Sequence, residues 1–404
     1  MQITATPASQ GFNENRLNHI KGWMQRYVDE QVFPGSSIVV SRGGKKVFAH
    51  KTGFIDLEAQ KPLEYDSLAR IYSMTKPITS VALMTFYEKG LIHLDQPLSD
   101  FIPEFANPEI LIDGATALDQ TKPATNEPTL HHLFTHTSGL TYGFNGGLLG
   151  DVYEERDYNF MPSQESLESA AQKLAELPLL FEPGGRWNYS VSTDVLGRVL
   201  EVVSGKPLDK ALQEIIFDPL EMNETSFGVK AKDLDRFPNL YGPHRDGGMR
   251  LLDHATSSPY LAEKVKTFSG GGGLISTLSD YRSFAEFLRR GSQGETSSIL
   301  APRTIKQMTS NQLPGDIASM GPATFSETPF TGVGYGLLGW STLDPVLARI
   351  SGSPGDYGWG GMASTFFWVD PKEDLSVVFF TQLAPSSATT SRRELRALIY
   401  QALA

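Results

Sequence analysis

In Ser73-Met74-Thr75-Lys76 a hydroxyl and an amine stand three residues apart, followed by Pro77 and an apolar run through Ile78, Val81, Leu83, Met84 and Phe86 to Lys89-Gly90. Proline suits a first helical turn, where its missing N–H would lack a partner anyway, so the pattern predicts a helix that begins at or just after Ser73. Residues three apart share a helix face, and the Lys76 amine can then reach the Ser73 hydroxyl. A hydroxyl becomes a nucleophile when a neighbouring base removes its proton. A lysine serves as that base when burial disfavours the charged amine. The positive end of the helix dipole would favour negative charge on the serine oxygen or on a substrate. Ser-x-x-Lys also arises by chance in a chain of this length, so its surroundings must decide.

Two further segments carry usable chemistry. Glu182-Pro183-Gly184-Gly185-Arg186-Trp187-Asn188-Tyr189-Ser190 is a turn-rich loop that leads into a helix near Ser192 or Thr193. A tyrosine at such a junction can relay a proton, and the same aromatic residues would serve equally to pack the loop. Tyr357-Gly358-Trp359-Gly360-Gly361-Met362-Ala363 runs into the strand pattern Ser364 to Val369. Glycines beside a strand admit a second backbone, and a free edge N–H there can bind an oxyanion; an ordinary tight turn explains the same letters.

The elements that must position these residues are read from periodicity. From Asn13 to about Glu30 apolar residues recur every three or four positions, which predicts an amphipathic helix. Ser37–Ser41 and Lys46–His50, joined through Gly43-Gly44, predict an antiparallel hairpin. Near the other end, Thr365–Val369 and Ser376–Thr381 predict a second hairpin, followed by a helix from about Ser391 to Leu403. The ends mirror one another, which predicts an α+β fold: one antiparallel sheet built from both termini, flanked by the terminal helices. Residues 1–95 and 262–404 would form this α/β domain, and 96–261, with helical patterns at Leu167–Leu177, Thr193–Val203 and Leu208–Ile216, a mostly helical insertion. Gly270–Gly273 is expected as a strand passing close beneath Ser73.

Composition narrows the function. The 404 residues carry a net charge of −11 with charges interspersed, which argues against a nucleic-acid ligand. With no cysteine, a disulfide framework, a thiolate zinc site and an iron–sulfur cluster are excluded. No basic segment followed by an apolar run opens the chain and no stretch of about 18 apolar residues occurs, so the expectation is a cytoplasmic protein without a membrane partner. His131, His132 and His136 cluster without zinc-ligand spacing, and His136 in His-Thr-Ser-Gly is expected to fix a turn. No serine sits in G-x-S-x-G, so the nucleophile elbow of α/β-hydrolases is missing. Tyr142 and Phe144 would line a pocket or simply pack. Asp194 would bias local charge near the site or complement a helix dipole.

The segments IYSMTK, LHHLFTHTSGLTYGF, FEPGGRWNYSVSTDVLGRVLE, SGGGGLISTLSDYRSF, GVGYGLLGW and GWGGMASTFFWVDP, in that order, resemble the serine β-lactamase and penicillin-binding protein superfamily. More closely, the chain resembles the family VIII carboxylesterases, the esterase branch related to class C β-lactamases, over nearly its whole length. The resemblance implies a β-lactamase/transpeptidase-like fold and a cofactor-free carboxylesterase. Ser73 would be the acylated nucleophile, Lys76 its general base and Tyr189 the proton relay. The backbone N–H groups of Ser73 and Met362 would form the oxyanion hole, and a small-molecule ester would meet Trp359, Gly360, Gly361, Tyr142, Phe144 and Asp194.

Departures from the pattern bear on the substrate. Tyr189-Ser190-Val191 stands where class C β-lactamases have Tyr-x-Asn, and Trp359-Gly360-Gly361 where they have Lys-Thr-Gly. An indole cannot attract a substrate carboxylate as an ammonium does, and both changes point to neutral esters with apolar flanks. A literal Lys51-Thr52-Gly53 precedes Ser73 and is expected to play no part. The competing expectations are a β-lactamase or D-Ala-D-Ala carboxypeptidase, an acyltransferase, and a catalytically silent binding module.

Overall fold

The computed structural model describes residues 1–322 and 329–404. Its centre is an eight-stranded antiparallel sheet drawn from both ends of the chain. The N-terminal part supplies β1 (Gly35–Arg42), β2 (Lys45–Asp56) and β3 (Lys61–Pro62); the C-terminal part supplies β4 (Val333–Tyr335), β5 (Trp340–Thr342), β6 (Tyr357–Gly360), β7 (Phe366–Asp370) and β8 (Leu375–Thr381). In space the order is β4-β5-β6-β7-β8-β1-β2-β3, so the two ends meet where β1 pairs with β8, Val39 opposite Val378.

Alternation along the strands separates two apolar layers, because successive side chains point to opposite faces. Ile38, Val40, Phe366, Trp368, Val377 and Phe379 pack with α1 (His19–Asp29) and α5 (Ser391–Tyr400) through Ile20, Trp23, Met24, Leu395 and Ile399. Val39, Phe367, Val369, Val378 and Phe380 face the other way, toward α4 (Leu278–Ser292) and its Tyr281, Phe284 and Leu288. The central strands are therefore covered on both sides, which explains why they are almost continuously apolar.

Between these layers and the middle of the chain runs α2 (Thr75–Glu88), buried from Thr75 through Thr85. It packs beside α3 (Ser192–Ser204) within the same apolar cluster. Residues 96–261 hold further helices, including Leu167–Ala175 and Leu208–Leu212, together with two short antiparallel pairs, Glu109–Leu111 with Thr121–Pro123 and Leu240–Pro243 with Met249–Asp253. Among the described residues no helix is long and apolar enough to cross a membrane.

Three expectations are corrected in detail. The first helical pattern is broken at Asn18 into Glu14–Leu17 and His19–Asp29, the earlier piece capped by Asn13, whose side chain accepts from the Arg16 N–H. The first hairpin runs on to Asp56 because β2 also pairs with β3. Gly270–Gly273 is a loop and not a strand; extended pairing begins at Ile275, opposite Arg70.

The C-terminal helix is tied to the sheet by a buried ion pair. Asp356, fully buried, accepts from the Arg396 guanidinium, from Thr342 Oγ1 at 2.7 Å and from the Ser353 N–H at 3.1 Å. Removing one member of such a pair strands the other charge. Asp356→Ala is expected to lower unfolding free energy by about 3–5 kcal/mol, read as a drop in the denaturant midpoint.

Candidate active site

Ser73 sits in a 3-10 turn, Tyr72–Met74, that runs straight into α2. Tyr72 takes φ of 43°, a left-handed conformation that a bulky side chain adopts only when its surroundings impose it. Several contacts impose it here. The Ile71 N–H donates to Leu274 O at 3.1 Å, the Leu274 N–H donates to Thr75 Oγ1 at 3.1 Å, and Tyr281 Oη donates to Met74 O at 2.8 Å. The turn is thus fixed on both sides, with Ser73 opening onto a cavity.

Lys76, 1 % exposed, projects from the first turn of α2 back toward Ser73, its Nζ 3.4 Å from Ser73 Oγ. The same amine donates to Gly271 O at 2.8 Å and lies 3.0 Å from Tyr142 Oη. Its Nζ also lies over the Tyr189 ring, 4.7 Å from the centroid. Three partners hold one buried amine in one direction.

Tyr189 comes from the loop before α3. His136, at the left-handed turn of His-Thr-Ser-Gly with φ of 56°, accepts the Asn188 N–H on its carbonyl and meets Ser190 Oγ through Nδ1 at 3.1 Å. Its ring lies against Tyr189, with centroids 4.8 Å apart. Complete burial and the neighbouring Lys76 charge hold this imidazole well below its ordinary pKa, so it is a neutral prop for the loop. The Trp359 indole N–H donates to Tyr189 Oη at 3.3 Å. The residue standing where the resemblance has a cation therefore meets the tyrosine with a neutral N–H.

Tyr357–Gly360 is strand β6, and Gly361-Met362 leaves its end beside the Ser73 turn. The Gly361 N–H donates to Thr365 O at 2.7 Å, and Arg392 Nη2 donates to Gly361 O at 2.9 Å. A Cβ at Gly361 would collide with Ile71 O and Thr365 Oγ1, so glycine is what allows the strand end to lie against the turn that carries Ser73. Met362 follows directly. Its backbone N–H has no hydrogen-bond partner among the described residues, while its side chain is part-exposed at the cavity wall.

The cavity measures about 720 Å³. Ser73, Tyr142, Phe144, Tyr189, Trp359, Gly360, Gly361 and Met362 all line it, so the structure brings these expected residues together. Phe160, Met161, Phe330 and Trp340 extend its apolar wall, and Arg392 and Arg393 from α5 lie at its margin. Asp194, expected among the residues that meet substrate, does not line the cavity: it is fully buried behind it, accepting from Ser269 Oγ, from the Gly271 N–H at 3.0 Å and from Tyr142 Oη at 3.4 Å. The first turn of α3 points it inward, at the loop that carries Gly271, and not toward the cavity.

Other sequence signals resolve locally. Lys51 lies on β2, pairs with Glu64 at 2.8 Å and donates to Leu63 O, away from the cavity. His132 caps its own helix, its Nδ1 accepting the Thr129 N–H at 3.2 Å. Sequence reasoning missed the carbonyl of Gly271 and the hydroxyl of Tyr142 as partners of Lys76. A backbone oxygen has no letter of its own, and Tyr142 was visible only as an aromatic in a loop.

Comparison with known proteins bears on this geometry. The family model described as Beta-lactamase matches residues 20–401. Protein Rv1367c of Mycobacterium tuberculosis is 31 % identical over 361 residues, covering 88 % of each chain. Esterase EstB of Burkholderia gladioli is 30 % identical over 377 residues, covering 88 % of this chain and 87 % of the esterase. The solved structure of EstCE1, described as a hydrolase with promiscuous acyltransferase activity, superposes with a TM-score of 0.80 at 27 % identity, covering 96 % of this chain and 99 % of the other. The expected β-lactamase/transpeptidase-like fold is the fold observed.

Proposed function

This chain belongs to the Beta-lactamase family, as a serine hydrolase of that fold, and from this premise we propose that it hydrolyses carboxylic esters through an acyl-enzyme on Ser73. The observation that carries the reading is the buried Lys76 amine facing Ser73 Oγ at the head of α2, open to a cavity walled by aromatic side chains. In the first step Lys76, assisted by Tyr189, takes the Ser73 proton as the oxygen attacks the ester carbonyl. The tetrahedral oxyanion is met by the backbone N–H groups of Ser73 and Met362. One such donor supplies on the order of 3 kcal/mol of transition-state stabilisation. The leaving alcohol receives its proton through Tyr189, and water, activated by the same base, releases the acid and frees Ser73.

Trp359 supports esters over β-lactams, because a neutral indole bound to Tyr189 occupies the place where a substrate carboxylate would meet an ammonium. With a short-chain nitrophenyl ester and a chromogenic cephalosporin assayed in parallel, the ester is expected to have a kcat/KM about 10²-fold higher or more. A cephalosporin cleaved as efficiently as the ester would replace this reading with a β-lactamase. A second reading, acyl transfer to an alcohol or amine, is favoured by the described promiscuity of EstCE1. It is read out as faster acyl-enzyme turnover, with ester rather than acid as product, when an acceptor alcohol is added.

A further inference from the structure

Lys76 is enclosed by groups from several elements, and the polar ones can be named. Ser73 comes from its own turn, Tyr142 from the loop after His136, Tyr189 from the loop before α3, Asp194 from α3, and Ser269 and the Gly271 carbonyl from the glycine loop. His136 faces the same cluster, and Tyr335 on β4 packs against His136. His136 is neutral for the reasons given above. Burial, with the Asp194 charge adding to it, holds Tyr142 well above the ordinary phenol range, and burial does the same to Tyr335, so both are neutral phenols. That leaves Asp194 as the carboxylate in this set.

Resting on the reading of Ser73 as nucleophile and Lys76 as its base, we propose that Asp194, acting through Tyr142, is a positioning residue that fixes both the direction and the charge balance of the Lys76 amine. The geometry is a chain of hydrogen bonds. Tyr142 Oη donates to Asp194 Oδ2 at 3.4 Å, and that leaves its lone pairs for Lys76 Nζ at 3.0 Å. A second branch runs through the backbone. Asp194 Oδ1 holds the Gly271 N–H, and the carbonyl of the same residue accepts from Lys76 at 2.8 Å. One carboxylate therefore sets two of the three partners that aim the amine at Ser73. A Cβ on Gly271 would strike the Asp194 carboxyl group, so the loop approaches the acid as closely as it does only because residue 271 is glycine.

The arrangement assigns distinct work to the two tyrosines. Tyr142, a neutral phenol bonded to an acid, cannot accept a proton from Ser73 and serves as a link. Tyr189 has its hydroxyl against Trp359 on the cavity wall, open to a bound ester. Asp194 itself is pushed upward by burial, an effect opposed by the Lys76 charge and by the Ser269 and Gly271 donors. The pair is thereby arranged so that the acid's negative charge and the amine's positive charge stabilise one another across Tyr142.

The test is the pH dependence of acylation, followed as the burst of nitrophenol from nitrophenyl acetate in the parent protein, Asp194→Asn and Tyr142→Phe. Asparagine keeps an acceptor for the Gly271 N–H and removes the charge. With that carboxylate charge removed from the hydrogen-bonded chain, the acidic limb of the profile is expected to move down by about one pH unit while the plateau falls about tenfold. Tyr142→Phe is expected to move the limb the same way by less. A merely structural role would lower the plateau and leave the limb in place. Where Asp194→Asn does not fold, Tyr142→Phe decides alone. An unmoved limb in folded variants that still label at Ser73 with a fluorophosphonate overturns the inference and leaves the nucleophile standing. A parent protein that does not label at Ser73 overturns the underlying reading, and the inference with it.

Discussion

Ser73→Ala is expected to lower kcat/KM for a nitrophenyl butyrate by about 10³-fold or more, leaving only the rate that binding and the oxyanion donors supply. The residue lies in a turn whose conformation is fixed by hydrogen bonds from the Leu274 backbone and the Tyr281 and Thr75 hydroxyls, none of which uses the Ser73 hydroxyl. The variant should therefore keep the parent's melting temperature, and the loss would be one of chemistry. Burst amplitude gives an independent check, since an enzyme without the hydroxyl forms no acyl intermediate. A variant that retains a tenth of parental activity would require another nucleophile.

Lys76→Met is the second large effect, expected to reduce the acylation rate by about 10³-fold. Methionine fills most of the lysine's volume in a fully packed helix head, so the shape of the site is kept while the base is lost. Stability is expected to fall as well, by about 1–3 kcal/mol, because the Gly271 carbonyl is left without the donor that Lys76 supplies. The two effects separate experimentally. Acylation is measured by stopped flow at a temperature where the variant is folded, and stability by denaturant titration. Activity within tenfold of the parent would make Tyr189 sufficient as the base and leave Lys76 no essential part in acylation, whether as base or as charge.

How far these roles were legible in the sequence depends on which physical signal each residue leaves. The Ser73 and Lys76 pair was legible because the turn that carries Ser73 runs straight into the helix that carries Lys76, whose start is marked by Pro77, so that the three-residue spacing brings the two side chains together. The sheet was legible because β1, β2, β7 and β8 are hairpin neighbours, each pair closed by its own turn, and the helices at both ends have an apolar stripe to bury. That the two hairpins share one sheet was reached from the symmetry of the ends; the order in which they join was not. The pairing of Val39 with Val378 is the long-range contact that no local pattern encodes. Tyr189 and Met362 were reached through the family resemblance rather than through periodicity, and the structure sets both on the cavity wall.

Asp194 shows why the rest was hidden. An acid in a first helical turn is ordinary dipole complementation, and nothing in its spacing distinguishes an acid facing solvent from one facing a buried amine. The difference arises from where α3 lies against the glycine loop, which is tertiary information. Gly270–Gly273 misled for a related reason. A run of glycines allows both a strand edge and a tight loop, and here the Asp194 carboxylate, accepting from Ser269 and Gly271, selects the loop. Tyr142 combined the two difficulties, an aromatic letter in a loop whose hydroxyl matters only because Lys76 and Asp194 lie on either side of it.

The most direct test of the account is the mass of the intact protein after brief exposure to a fluorophosphonate, followed by peptide mapping. One adduct per chain on the peptide that carries Ser73, absent from Ser73→Ala and formed slowly in Lys76→Met, is the predicted result. An adduct on any other peptide, or undiminished ester cleavage by Ser73→Ala, would contradict it.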